Sequence, residues 1–211
     1  MTIITVAQRK GGAGKTTIAV NIAGEFSRRN YNVALVDSDP QASACKWAGL
    51  ENLEFPVYEI GLDNFTVGNW VQEVRSVKAD LVVIDTAPSE RHLGASIAVS
   101  DLILVPCTAS GLDIEATEQT IAIIKAVRGR RTSPLAVILV PNRVDRRTLE
   151  GQQLAQELRN FGEVVGPAIG NRSAFVRAFA TGQSVAEFAS GQGADMDIKK
   201  LCDLVERKLP A

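Results

Sequence analysis

The chain has 211 residues, 45% apolar and 22% charged, and its 23 basic and 24 acidic side chains leave a net charge of −1. That balance is globular and excludes both a disordered chain and one that is basic throughout, so any contact with nucleic acid has to come from a local patch. No apolar run approaches the roughly 20 residues that span a bilayer, and the first residues lead straight into a strand pattern; one cytoplasmic domain over residues 1–211, without a membrane partner, is expected.

Residues 3–7 form an apolar strand pattern, and Ile18, Ile22 and Phe26 are spaced for the buried face of a helix over 16–29. Between them runs Gln-Arg-Lys-Gly-Gly-Ala-Gly-Lys-Thr-Thr, residues 8–17. A glycine-rich turn between a strand and a helix lets backbone N–H groups converge on phosphate oxygens. Gly11, Gly12, Ala13, Gly14, Lys15, Thr16 and Thr17 are therefore the expected nucleotide-binding loop, with Lys15 reaching the β- and γ-phosphates and the Thr16 hydroxyl ligating Mg²⁺.

A second strand, 32–36, ends in Asp37-Ser38-Asp39-Pro40-Gln41; carboxylates at such a strand end point into the crevice where open α/β sheets bind ligands. Residues 41–50 read as a short helix with Trp47 at the core edge, 51–63 carry no clear pattern, and 65–77 have helical spacing. The β-branched run 80–84 reads as a strand buried on both faces. It ends in Asp85-Thr86-Ala87-Pro88, the form of a Walker B motif, in which Asp85 holds Mg²⁺ directly or through its water shell and residues 86–89 are the place for a phosphate-sensing switch loop. Helices follow over 92–99, opened by His92, over 112–128 and over 150–161, and strands over 102–106, 135–140 and 164–169, before a final helix over 197–209. This alternation predicts an α/β fold with a mostly parallel twisted sheet, helices on both faces and right-handed crossovers. Cys45, Cys107 and Cys202 are far apart and outside any C-x-x-C motif, so they read as reduced thiols and not as cluster ligands.

The general phosphate loop has a glycine where this chain has Arg9, and Lys10 follows it. Lys-Gly-Gly-x-Gly-Lys-Thr-Thr resembles the deviant Walker A motif of the ParA/MinD family of P-loop ATPases, in which an additional signature lysine precedes the glycines; Lys10 matches it. Asp-x-Asp-Pro-Gln resembles the family's second motif, with Asp39 at the position that activates or orients the attacking water and Asp37 supporting Mg²⁺ through water. Asn142-Arg143, after the 135–140 strand, resembles the family's adenine-contacting pair, and residues 167–171 would cover the base. Asn-Arg-Val-Asp, 142–145, departs from the guanine-reading N-K-x-D pattern by arginine for lysine, which favours ATP over GTP.

The likeness runs from residue 2 to about 207 and implies an ATPase that closes into a face-to-face homodimer around ATP and Mg²⁺, with Lys10, Lys15 and Asp39 as its catalytic set. It further implies a nucleoid-associated protein that binds DNA without sequence preference, is stimulated by a ParB-like or cargo-adaptor activator, and positions a plasmid, a chromosome or a protein complex. Arg172, Arg177, Lys199 and Lys200 are the candidate DNA contacts. Two alternatives stay open: a MinD-like membrane-cycling ATPase, which would need a basic amphipathic terminal helix, and a metabolic ATP-dependent enzyme of the same superfamily. The final helix carries Ile198, Leu201, Leu204, Val205 and Leu209 without Phe or Trp, a stripe that reads as core-facing.

Overall fold

The structure is a computed structural model, and it describes residues 1–209. Seven parallel strands form one sheet in the order β3-β2-β4-β1-β5-β6-β7. They are β1 (Thr2–Val6), β2 (Val33–Asp37), β3 (Val57–Glu59), β4 (Leu81–Asp85), β5 (Leu102–Cys107), β6 (Ala136–Pro141) and β7 (Val164–Val165). The five longer strands lie inside this order and are buried almost throughout, as their unbroken apolar sequences require.

Alternate residues of these strands feed two faces. Ile4, Val6, Leu35, Val83, Leu104 and Ile138 pack against α1 (Lys15–Arg28), α7 (Ser173–Thr181) and α9 (Gly193–Lys208). On the opposite face, Ile103, Val105 and Leu139 meet Ile121 and Ile124 of α5 (Gly111–Arg128) and Leu154 and Leu158 of α6 (Leu149–Arg159). Further along that face Ile3, Val36, Val82 and Ile84 meet Trp70 and Val74 of α3 (Val67–Ser76) and Ala95 and Val99 of α4 (Glu90–Val99). The expected α/β architecture with helices on both faces is what is observed.

The differences from the sequence reading fall at the sheet edges and helix ends. β3 lies in the stretch without a pattern; it is a three-residue edge strand with Tyr58 and Glu59 exposed, too short and too wet to show alternation. β7 has two residues instead of six, because Gly166 and Pro167 follow and proline has no N–H for the ladder; a single bridge, Val144 to Gly170, continues the contact. α2 (Ser43–Ala48) is trimmed at both ends relative to 41–50, and α9 begins four residues before 197. α8 (Val185–Phe188) is one capped turn, with Ser184 and Glu187 forming a capping box.

α9 is tied to α1 by charge as well as by its apolar face. Arg28 lies 2.7 Å from buried Asp195, and Arg29 lies 2.8 Å from each of Glu25, Asp203 and Glu206. The α1–α8 contact is tighter still: a Cβ on Gly24 would sit 2.5 Å from the Ser184 Cβ, whereas one on Gly94 of α4 would meet nothing within 4 Å. Gly24→Ala should therefore cost about 1–3 kcal/mol through overpacking. Gly94→Ala should be neutral or stabilising by roughly 0.5–1 kcal/mol, since alanine loses less backbone entropy in a helix. Urea unfolding midpoints of the two variants check this packing.

Candidate functional site

The register of the sheet builds the site. Asp85 is the partner of Val6 on one side and of Asp37 on the other, so the loop after β1 and the carboxylates ending β2 and β4 arrive side by side at the carboxyl edge. There a cleft of about 1140 Å³ opens, lined by Gly11, Gly12, Gly14, Lys15, Thr16 and Thr17 from the loop and by Asp39, Asn142 and Arg143 from elsewhere. Ala13, Asp37 and Asp85 lie buried beneath this lining.

α1 starts at Lys15 with no side-chain cap and no acid in its first turn. Its first N–H groups and the positive end of its dipole are thus left for an anion in the cleft. Gly14 precedes it at φ +96°, and a Cβ there would come 2.3 Å from the Asn142 Nδ2 atom. Asn142 itself is buried and donates from Nδ2 to the Ala13 carbonyl at 2.8 Å. The two residues of the expected adenine-contacting pair are therefore placed differently: Arg143 is exposed along the cleft, while the Asn142 amide braces the loop from behind.

Lys15 is buried and donates to the Lys10 carbonyl at 3.3 Å. Burial pulls its pKa down, against the opposing pull of Asp85 and Asp39. Thr16 Oγ1 donates to Asp85 Oδ2 at 2.6 Å, whereas Asp85 Oδ1 is buried without a hydrogen-bond partner. Burial pushes the Asp85 carboxyl up to about 7, the Thr16 bond working against it and the neighbouring Asp37 with it. An orphaned carboxylate oxygen next to a hydroxyl is a hard oxygen donor set, and it fits a Mg²⁺ ion beside bound phosphates.

Asp37 is differently engaged. Its Oδ2 accepts from the backbone N–H of Ala44 at 2.8 Å and of Cys45 at 3.0 Å, and its Oδ1 from that of Asp39 at 3.1 Å. It therefore caps the start of α2 and brings negative charge to the site without an idle oxygen, and burial raises its pKa despite those bonds. Asp39 is half-buried, accepts from the Gln41 N–H at 2.9 Å and faces the cleft.

Lys10 lies apart from the main cleft. Its Nζ is 2.7 Å from Oδ1 of Asp113, in the first turn of α5, while Thr108 donates to the other carboxylate oxygen. The pair lines a smaller cleft of about 430 Å³ together with Gly11, Gly12 and Arg143. Of the four candidate DNA contacts, Arg172 is 2.7 Å from Asp197 and Lys199 is 3.2 Å from Asp195, so both are neutralised within the chain. Arg177 and Lys200 are exposed and make no ion pair among the described residues. Asp113 as a partner for Lys10, Phe179 as a wall of the cleft beside Trp47, and the buried amide of Gln8 are not singled out by the sequence. The signal for Asp113 was present, as an acid opening a long helix, but its partner is far upstream. His92 and Trp47 fall where expected, the one in the first turn of α4 with its N–H capped by Ser89, the other buried at the edge of the core.

Residues 4–185 match the model of the CobQ/CobB/MinD/ParA nucleotide binding domain. The chain is 30% identical to a maintenance of carboxysome distribution protein A of Halothiobacillus neapolitanus, over 96% of this chain and 95% of that one. It is also 30% identical to the chromosome-partitioning ATPase Soj of Thermus thermophilus, over 88% of each. Its fold superposes with a TM-score of 0.76 on the AMPPNP-bound crystal structure of a plasmid partition protein from Borrelia burgdorferi, 20% identical and matched over 99% of each chain.

In the fold the Asp85 carboxyl holds its proton up to about 7, whereas in the unfolded chain it would lose it near 4, so between those values the folded state binds the extra proton. The stability from this group then falls as pH rises through that window and levels off above it. The nucleotide-free protein should melt at a lower temperature at about pH 8 than at about pH 5.5, and Asp85→Asn should remove most of that slope, leaving the part due to Asp37. Thermal melts at the two pH values check it; an unchanged slope in Asp85→Asn would place the strained carboxylate elsewhere.

Proposed function

Because the chain belongs to the CobQ/CobB/MinD/ParA nucleotide-binding family, we propose that it is a ParA-type ATPase that closes as a homodimer around ATP and Mg²⁺ and positions an intracellular cargo. The observation that carries this reading is that the phosphate loop holds two lysines with separate stations. Lys15 stands buried at the nucleotide cleft, and Lys10 stands outside it on Asp113, free to be delivered elsewhere once that pair opens.

Each residue then has a chemical task. The N–H groups from Gly12 to Thr17 and the Lys15 ammonium receive the triphosphate. Thr16 and Asp85 would hold Mg²⁺, which would supply positive charge beside the phosphate oxygens, and Asp37 adds negative charge behind them. Asp39, facing the cleft, orients the attacking water and takes its proton. Lys10 from the second subunit is placed where charge builds on the leaving phosphate oxygens. Arg143 and the segment around Gly170 and Asn171 border the cleft where the base would lie, and the Asn142 amide keeps the loop in place for it.

The ATP-bound dimer binds DNA through phosphate contacts, for which Arg177 and Lys200 are better suited than the ion-paired Arg172 and Lys199, and a ParB-like or adaptor protein stimulates hydrolysis at the nucleoid. A MinD-like membrane cycle is disfavoured by α9, whose apolar residues Ile198, Leu201, Cys202 and Val205 are buried in the core with α1. Among the described residues no helix is long and apolar enough to cross a membrane.

Lys10→Ala and Asp39→Ala homodimers should both be inactive. Mixed one to one, about half the dimers pair unlike subunits, and each of those carries one complete site, since the Lys10→Ala subunit keeps Asp39 and borrows Lys10; activity should return to about a quarter of wild type. No recovery with subunit exchange confirmed by a fluorescent label would sink the sandwich dimer. DNA retention should need ATP, ignore sequence and drop steeply with salt, and Arg177→Glu with Lys200→Glu should abolish it while leaving ATP binding intact. Equal retention with ADP would count against the positioning cycle.

A further inference from the structure

Gln8, between β1 and the phosphate loop, is 1% exposed, yet its amide uses every hydrogen-bonding capacity it has. Nε2 donates to the Pro106 carbonyl of β5 at 3.2 Å and to Thr117 Oγ1 of α5 at 2.9 Å. Oε1 accepts from the Arg9 N–H at 2.8 Å and from the Thr120 hydroxyl at 2.7 Å. The orientation of the amide is unambiguous, because a backbone N–H can meet only the oxygen and a carbonyl only the nitrogen. Thr117 donates in turn to the Asp113 carbonyl at 2.8 Å, and the Arg9 N–H also lies 3.2 Å from Thr120 Oγ1.

These bonds join three things into one body: the end of β5, the first three turns of α5 and the limb of the loop one residue before Lys10. Asp113, Thr117 and Thr120 stand at i, i+4 and i+7, so the helix face that receives Gln8 is the face that presents Asp113 to Lys10. The phosphate-binding half of the loop hangs on other supports, α1 and the Asn142 amide. A buried amide is costly unless fully satisfied, and an apolar side chain would fill the space without directing the backbone.

We propose that Gln8 is a positioning residue for Lys10: through the Arg9 N–H and the Thr117–Thr120 face of α5 it sets the limb from which Lys10 reaches the nucleotide of the second subunit. This rests on the sandwich-dimer reading. It assigns Gln8 to the subunit that donates the lysine, not to the one that holds the reacting nucleotide.

Gln8→Leu keeps the approximate volume and removes all four bonds. ATP affinity by calorimetry should stay within about threefold of wild type and ATP should still bring the protein to the mass of a dimer, while stimulated kcat should fall by about tenfold or more, as expected when a transition-state charge is misplaced. Pairing then distinguishes positioning from general damage. Mixed with Asp39→Ala, the Gln8→Leu subunit borrows a well-placed Lys10 and activity recovers; mixed with Lys10→Ala, no site receives a well-placed Lys10 and activity stays lost. The reverse pattern would overturn the proposal by assigning Gln8 to its own nucleotide, as would unchanged kcat or a large loss of ATP affinity. The Lys10→Ala with Asp39→Ala mixture separates the two failures, since its recovery upholds the sandwich whatever Gln8 does. Should Gln8→Leu not accumulate as folded protein, Thr120→Val deletes the hydroxyl facing Oε1 and is scored by the same pairings, with the same pattern expected.

Discussion

The site depends on negative charge stored next to a place for a cation. Asp37 and Asp85 end neighbouring strands in register, and the folded chain desolvates both. Each copes differently. Asp37 spends its oxygens on three backbone N–H groups and so becomes part of the turn into α2. Asp85 has only the Thr16 hydroxyl and one oxygen with nothing to accept from; burial, with Asp37 beside it, raises its proton affinity, and the idle oxygen makes it receptive to a divalent ion. Both faces of the sheet are packed with Val, Ile, Leu and aromatic side chains, which is what lets the fold tolerate an unsatisfied carboxylate at its edge.

The two lysines of the loop are separated by the same geometry. Lys15 sits at the head of α1, where burial weakens its hold on a proton, so an incoming triphosphate is a better partner than any it has in the free chain. Lys10 already has a partner in Asp113, and this pair is one-third open to solvent on the lysine side. The lysine is the member that can leave, since its head reaches water while Asp113 is buried and also held by Thr108. The loop that carries both is anchored by two side-chain amides, Gln8 at its start and Asn142 behind its middle. Amides suit the task, since each presents a donor and an acceptor in fixed geometry and neither changes charge when a nucleotide arrives.

The surface charge follows a comparable logic. Among the basic residues of the C-terminal third, Arg172 and Lys199 serve the interior: Arg172 pins the chain before α7 to α9, so closely that a Cβ on Gly193 would lie 2.4 Å from its Nη1. Their charge is cancelled by Asp197 and Asp195, whose own burial requires a cation nearby. A residue's type therefore does not reveal whether its charge is already paired, and the net charge of −1 leaves any nucleic-acid contact to a local patch.

What the sequence determined by itself was whatever depends on neighbours along the chain. The strand, the loop from Gly11 to Thr17 and the helix after it could be read because spacing alone places their groups, and so could the carboxylates, since Asp37 and Asp85 end apolar strands and Asp39 lies two residues beyond the first of them. Their family resemblance was legible for the same reason. Only the tertiary structure decided which partners those groups acquire. The sheet order sets β4 between β1 and β2 and lays β1 beside β5, and from that follow the Lys10–Asp113 pair, the meeting of Gln8 with Pro106, Thr117 and Thr120, and the bond from Asn142 to Ala13. No periodicity encodes these contacts, because each joins residues far apart in sequence whose pairing is chosen by burial: once the strands are packed, a polar group without water must take the partner the fold places within reach.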